Sequence, residues 1–329
     1  MKISKKQKLS THLFSKKIAL AATRDGYGEA LVALGEKNEK VIVLSADLTE
    51  STRSKAFSEK FPERFVEVGV AEQNLAGLAA GMALCGYIPF MSSFAVFSPG
   101  RNWDQIRVSV CYTKANVKIA GGHAGISTGE DGATHQAMED IAITRVLPNM
   151  TVVVPADAVE TRKAALALAT REGPAYVRLG RPRVPVFTTQ KSPFEIGAAN
   201  VLIQGKDVTI VACGHMVYAA LEAAQILGKK HAIAAEVINC HTIKPLDVGT
   251  LVASAKKTGA VVTAEEHQIH GGLGSAVAEA LAEHQPTPMR FVGMPDSFGE
   301  SGAAGELLSK YGMTKEKIVT SCLAVIKEK

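Results

Sequence analysis

The sequence predicts an α/β protein of two domains, each a mostly parallel sheet covered by helices. Three observations carry that reading. Short β-branched runs alternate with helix-like segments along the chain, the pattern of sheets buried on both faces. The length, 329 residues, exceeds one typical domain. A proline-rich stretch, Arg181-Pro182-Arg183-Val184-Pro185 and on to Pro193, interrupts the alternation and marks the best boundary.

The expected divisions are a basic lead-in over 1–20, a first domain over 21–187 and a second over 188–329. The lead-in, with Lys2, Lys5, Lys6, Lys8, Lys16 and Lys17, reads as a solvated, flexible tail. Strands of the first domain are expected at Val41–Ala46, Arg64–Val68, Val117–Ala120, Thr151–Val154 and Ala175–Arg178, with helices such as Tyr27–Glu36 and Ala158–Thr170 between them. The second domain alternates through Val208–Ala212, Met216–Leu227, Ala232–Ile238, Asp247–Lys256, Ala260–Thr263, Gly274–Ala282 and Arg290–Val292. One segment stands apart. Ala71–Cys85 is apolar nearly all round and rich in Ala and Gly, so it reads as a helix buried on every side. Its small residues would admit another backbone, from within the subunit or from a second one. Glu72 falls in its first turn, where the helix dipole favours a carboxylate and desolvation opposes it.

Composition narrows the function classes. Hydrophobic residues make up 47% and charged residues 21%, the balance of a globular protein with a sizeable core. No apolar run approaches the roughly 18 residues that span a bilayer, and the basic N-terminus lacks the long apolar stretch of a secretory signal. The net charge of +5 is too diffuse for nucleic acid but suits anionic small substrates. Cys85, Cys111, Cys213, Cys240 and Cys322 show neither metal-ligand spacing nor a paired framework, as thiols do in a reducing cytoplasm, which is the expected location.

Four short stretches could carry chemistry: Gly69-Val70-Ala71-Glu72-Gln73-Asn74, Ser92-Ser93-Phe94-Ala95-Val96-Phe97, Gly121-Gly122-His123-Ala124-Gly125, and Gly129-Glu130-Asp131-Gly132-Ala133-Thr134-His135-Gln136. Singly each has a bland reading. A first-turn Glu serves the dipole, two Phe three apart are core, a His in a glycine-rich loop is surface, and Arg24 and Arg181 are solvated charges. In this order and spacing, with Thr242-Ile243-Lys244-Pro245-Leu246-Asp247, Glu265-Glu266-His267 and Gly271-Gly272-Leu273-Gly274 beyond them, the chain resembles the C-terminal half of a transketolase, in near-continuous register from Ala22 through Arg183.

The resemblance implies a pyrimidine-binding domain and a C-terminal domain, with thiamine diphosphate as cofactor. It implies that Glu72 hydrogen-bonds the aminopyrimidine ring and favours the imino tautomer that removes the thiazolium proton, a role helped by burial, which keeps a carboxyl protonated. Phe94 and Phe97 would pack on the flat ring, and His135 would face the cofactor and the reacting carbons. Arg24, Ser51, His123 and Arg181 would hold a sugar phosphate, and Asp131 would accept a hydrogen bond from a substrate hydroxyl. Two departures stand out: Gly100, where many transketolases carry a third aromatic, and Ala133, where proline is usual.

No Gly-Asp-Gly segment, the family's Mg²⁺ and diphosphate anchor, occurs in the sequence. A ring-binding domain alone does not retain a diphosphate, because the metal supplies the neutralising charge. The expectation is therefore one subunit of a split transketolase. A partner chain would bind diphosphate and Mg²⁺, this chain would self-associate through its pyrimidine domain, and the pair would transfer ketol units between sugar phosphates in the pentose phosphate pathway. An α2β2 tetramer is the expected assembly. The nearest alternatives are a deoxyxylulose-phosphate synthase, disfavoured by Gly121-Gly122-His123 and Leu179-Gly180-Arg181-Pro182, and a 2-oxo acid dehydrogenase β chain, disfavoured by His123 and the loop through His135. A non-catalytic scaffold would have no need of polar groups at these spacings.

Overall fold

The computed structural model describes residues 2–329 and contains two large sheets flanked by helices, with a small antiparallel pair, Leu20–Ala22 and Arg183–Pro185, beside them. The first has seven strands in the order Thr242–Lys244, Thr151–Val153, Ala175–Arg178, Lys118–Gly122, Ile88–Phe94, Val41–Ser45 and Phe65–Glu67. All neighbours run parallel except Thr242–Lys244, which closes one edge antiparallel to Thr151–Val153. The second has six strands: Lys2–Ile3, Asn200–Gln204, Ala235–Asn239, Val208–Ala212, Val261–Gln268 and Met289–Met294. Its last four are mutually parallel, and the first two are added antiparallel.

Central strands such as Val41–Ser45 and Val208–Ala212 are buried along their whole length, as parallel strands covered on both faces must be. The helix Thr23–Lys37 covers one face of the first sheet and packs closely on Ala158–Ala169. A Cβ on Gly26 would lie 1.9 Å from the Ala158 carbonyl oxygen, so only glycine permits the crossing. Asp157 caps Ala158–Ala169 by accepting from Glu160 N at 2.9 Å, and its other oxygen takes the N–H groups of Phe187 and Thr188.

Two expectations need correction. The lead-in is not a free tail. Lys2–Ile3 pairs with the second sheet, Leu13 is buried in its core, and the Leu13 carbonyl accepts from the Tyr218 hydroxyl at 2.9 Å. Nor is the Ala- and Gly-rich helix, Glu72–Leu84, buried on every side. Glu72, Leu75, Ala76, Ala79 and Ala80 face the core, whereas a Cβ on Gly77 or Gly81 would meet nothing within 4 Å and Leu84 is 69% exposed. Among the described residues no helix is long and apolar enough to cross a membrane.

Candidate active site

The parallel sheet decides where the site lies, because loops leaving the carboxyl ends of neighbouring strands meet along one edge. Ser51 follows Val41–Ser45, Phe94 ends Ile88–Phe94, His123 follows Lys118–Gly122, and Arg181 follows Ala175–Arg178. Arg24 enters from the first turn of Thr23–Lys37. Arg24, Ser51, His123, Asp131 and Arg181 line one cleft of about 400 Å³, together with Glu50, Arg53 and Phe94. Every substrate residue expected from the sequence is in that cleft.

Its electrostatics follow from crowded guanidiniums. Arg24 Nη1 donates to the Ser51 carbonyl at 2.8 Å and lies 3.2 Å from His123 Nε2. Arginine only donates, so Nε2 accepts and the imidazole proton sits on Nδ1. Nδ1 is buried and has no partner among the described residues, and the same holds for Arg24 Nε. Burial first, then the charges of Arg24, Arg181 and Arg53, push the His123 pKa down to about 3. The ring is neutral at physiological pH and presents one unanswered N–H donor. Arg181 donates to the Thr128 carbonyl and, at 2.7 Å, to Glu130, a half-exposed arrangement that an incoming anion can displace.

Beside the cleft is a flat slot. Phe94 and Phe97 are near-parallel, 6.2 Å apart and 16° inclined, and His135 meets Phe97 edge-on at 5.4 Å. Glu72 is 3% exposed, and Arg101 Nη1 donates to its Oε2 at 3.0 Å while the same guanidinium lies 4.7 Å over the Phe97 ring. Asn102 holds the Glu72 carbonyl at 2.9 Å. A planar group resting on Phe97 with a nitrogen at the Glu72 carboxyl is what an aminopyrimidine would also be, so these residues fit the ring of thiamine diphosphate. In the chain as it stands Arg101 makes both of these contacts. A Cβ on Gly100 would lie 2.0 Å from the Val96 carbonyl oxygen, so this backbone has no room for a third aromatic there.

Several residues at the site have no role in the sequence reading. Arg53 and Arg101 lie outside the motifs. Glu266, within the Glu265-Glu266-His267 motif, crosses from the second domain to accept from Ser127 N at 2.6 Å, at the base of the loop carrying Asp131. Gln136 Nε2 ties the same loop to the Glu300 carbonyl at 2.8 Å.

A carboxyl, an aromatic slot and an anion cleft along the carboxyl edge of a parallel sheet define a subunit of the thiamine-diphosphate-dependent class. Residues 20–186 match the family model for the transketolase pyrimidine-binding domain, and residues 197–318 match that for the transketolase C-terminal domain. The chain belongs to the transketolase family. It is 46% identical to a protein of Methanocaldococcus jannaschii provisionally named a transketolase C-terminal section, over 93% of this chain and 96% of that one. Identity is 44% to the 6-deoxy-6-sulfo-D-fructose transketolase subunit of Clostridium sp. strain MSTE9, over 93% and 95% of the two chains. A solved structure described as a split-gene transketolase, an inactive β4 tetramer, superposes with a TM-score of 0.87 at 53% identity, covering 93% of this chain and 98% of that one.

Proposed function

We propose that this chain is the C-terminal subunit of a split transketolase, moving a two-carbon ketol unit from a ketose phosphate to an aldose phosphate, as in the pentose phosphate pathway. One observation carries the reading. Phe94 belongs to both halves of the site: it stacks with Phe97 in the flat slot and lines the arginine-rich cleft, its ring 3.8 Å from His123. A ring bound in the slot and an anion bound in the cleft would therefore hold the reacting carbons between them.

Within that arrangement, Glu72 hydrogen-bonds the ring nitrogen, while Phe94 and Phe97 fix the ring plane. Arg24 and Arg181 bind the anionic end of the sugar, His123 donates through Nδ1, and Asp131 takes a hydroxyl proton in a hydrogen bond. His135 stands over the slot, where it can orient or exchange a proton with the reacting oxygen. Thiamine diphosphate, when bound, supplies the electron sink for the carbanion left after C–C cleavage. Diphosphate and Mg²⁺ fall to a partner chain, since no Gly-Asp-Gly segment is present here.

The test is reconstitution with the partner chain. Ketol transfer should require both polypeptides, thiamine diphosphate and Mg²⁺, and this chain alone should show none. Robust turnover by the lone chain would sink the two-chain reading, and a fully assembled complex with no ketol transfer would sink the transketolase reading.

A further inference from the structure

Arg53 lines the cleft beside Arg24, His123 and Arg181, yet it belongs to none of the motifs that mark the family resemblance. Three observations bear on its task. Its backbone is left-handed, at φ 67°, a conformation that costs any residue with a Cβ and recurs where a side chain must be aimed. The fold makes room for it: a Cβ on Gly28 would lie 2.7 Å from both the Arg53 carbonyl oxygen and its Cβ. Its guanidinium is also fixed from behind. Asp25 accepts from Arg53 Nε at 2.7 Å, and the other Asp25 oxygen is held by Ala22 N at 3.1 Å. That leaves the terminal nitrogens for other work. Nη1 reaches only the Glu50 carbonyl, at 3.4 Å, and Nη2 has no hydrogen bond among the described residues.

The bland alternative is an ion pair with Asp25. At 43% and 38% exposure such a pair contributes little, and it would require neither a left-handed backbone nor a glycine opposite. Like charge is instead concentrated here. After burial, Arg53 is the largest influence lowering the Arg24 pKa, so the two guanidiniums repel across the cleft unless an anion joins them.

We propose that Arg53 is a third guanidinium for the anionic terminus of the substrate, selecting a phosphate dianion over a singly charged sulfonate. The inference rests on the sugar-phosphate reading above and adds to it a specificity-determining residue. A phosphate monoester carries roughly 1.5 to 2 negative charges near neutral pH, so a third cation contributes more to it than to a monoanion.

The experiment is calorimetric titration of the full chain with fructose 6-phosphate, 6-deoxy-6-sulfofructose and fructose. Arg53→Asn is the main variant, because Asn tolerates a left-handed backbone. Arg53→Gly removes the backbone cost altogether and guards against a folding artefact, and Arg24→Met reports on the cleft itself. Wild type should prefer the phosphate, and both Arg53 variants should lose about tenfold in affinity for it, the scale of one charge-assisted contact. The loss should be smaller for the sulfonate and absent for fructose. Unchanged phosphate affinity, or an equal loss for all three ligands, overturns the assignment of Arg53 while Arg24→Met still weakens phosphate. No preference for phosphate in wild type overturns the sugar-phosphate reading, and the Arg53 assignment with it.

Discussion

Glu72 has one carboxyl oxygen that accepts from Arg101 and another with no hydrogen bond among the described residues, at the start of a helix whose dipole favours it. If it serves only the helix and the ion pair with half-exposed Arg101, Glu72→Gln should cost about 0.3–1 kcal/mol of stability and leave turnover near normal. If it acts on the cofactor ring, kcat of the reconstituted complex should fall at least about a hundredfold. Hydrogen–deuterium exchange at the thiazolium carbon should slow with it, at full cofactor occupancy. Wild-type exchange in the occupied variant would return Glu72 to a structural role. Glu72, the aromatic pair, His123 and Asp131 stand out in the sequence because each sits in a short local motif, whereas Arg24 and Ser51 enter only through the family resemblance. Arg101 and Arg53 do neither. What gives them meaning is a contact with Phe97 or a place beside Arg24, and neither leaves a local pattern.

Elements with a clean alternating or periodic pattern were read closely. Ala175–Arg178 and Val208–Ala212 form where expected, and Ala158–Ala169 ends one residue short of its expected bound. The strand Ile88–Phe94, which delivers Phe94, has no clear signature in the sequence because Pro89, Ser92 and Ser93 dilute its apolar run. In the fold Ser92 is satisfied by the Tyr27 hydroxyl at 2.8 Å. Thr242–Lys244 stands out as a motif but carries no local sign of being an edge of the first sheet, since its partner lies some ninety positions earlier. His241, at its start, is fully buried, stacks on Phe194 at 4.4 Å and has an unpartnered Nε2. Burial pulls its pKa down to about 4. Below about pH 6.5 the unfolded chain takes up a proton that the folded chain refuses until about pH 4, so this site's stability is lost as pH falls through that window. His241→Phe keeps the stacking and should remove about 1.4 kcal/mol per pH unit of that slope. Urea unfolding at pH 7.5, 6 and 5 checks it. Equal slopes in both proteins would mean that His241 takes no part.

At the scale of the molecule, the open face of Glu72–Leu84 is continuous with exposed Val70 and Leu78, an apolar strip containing two glycines that a second backbone can approach. A Cβ on Gly77 would meet nothing within 4 Å, so Gly77→Arg should leave the fold intact and, if this face is where copies of the chain meet, reduce the sedimentation mass to that of a smaller species. An unchanged mass would place the contact elsewhere. The two domains are also laced together. Lys2–Ile3 closes an edge of the second sheet, Thr242–Lys244 closes an edge of the first, and one continuous core contains Leu75 and Val152 from one side with Val211 and Leu273 from the other. On a ribosome that lacing imposes a schedule. At roughly 5–20 residues per second, the first sheet must wait several seconds after its own last parallel strand emerges before its bordering strand arrives. The opening residues wait longer still, through some two hundred residues of synthesis, for the strand they pair with. For that interval the nascent chain carries a bare strand edge, the kind of surface that chaperones hold and neighbouring polysomes can mispair.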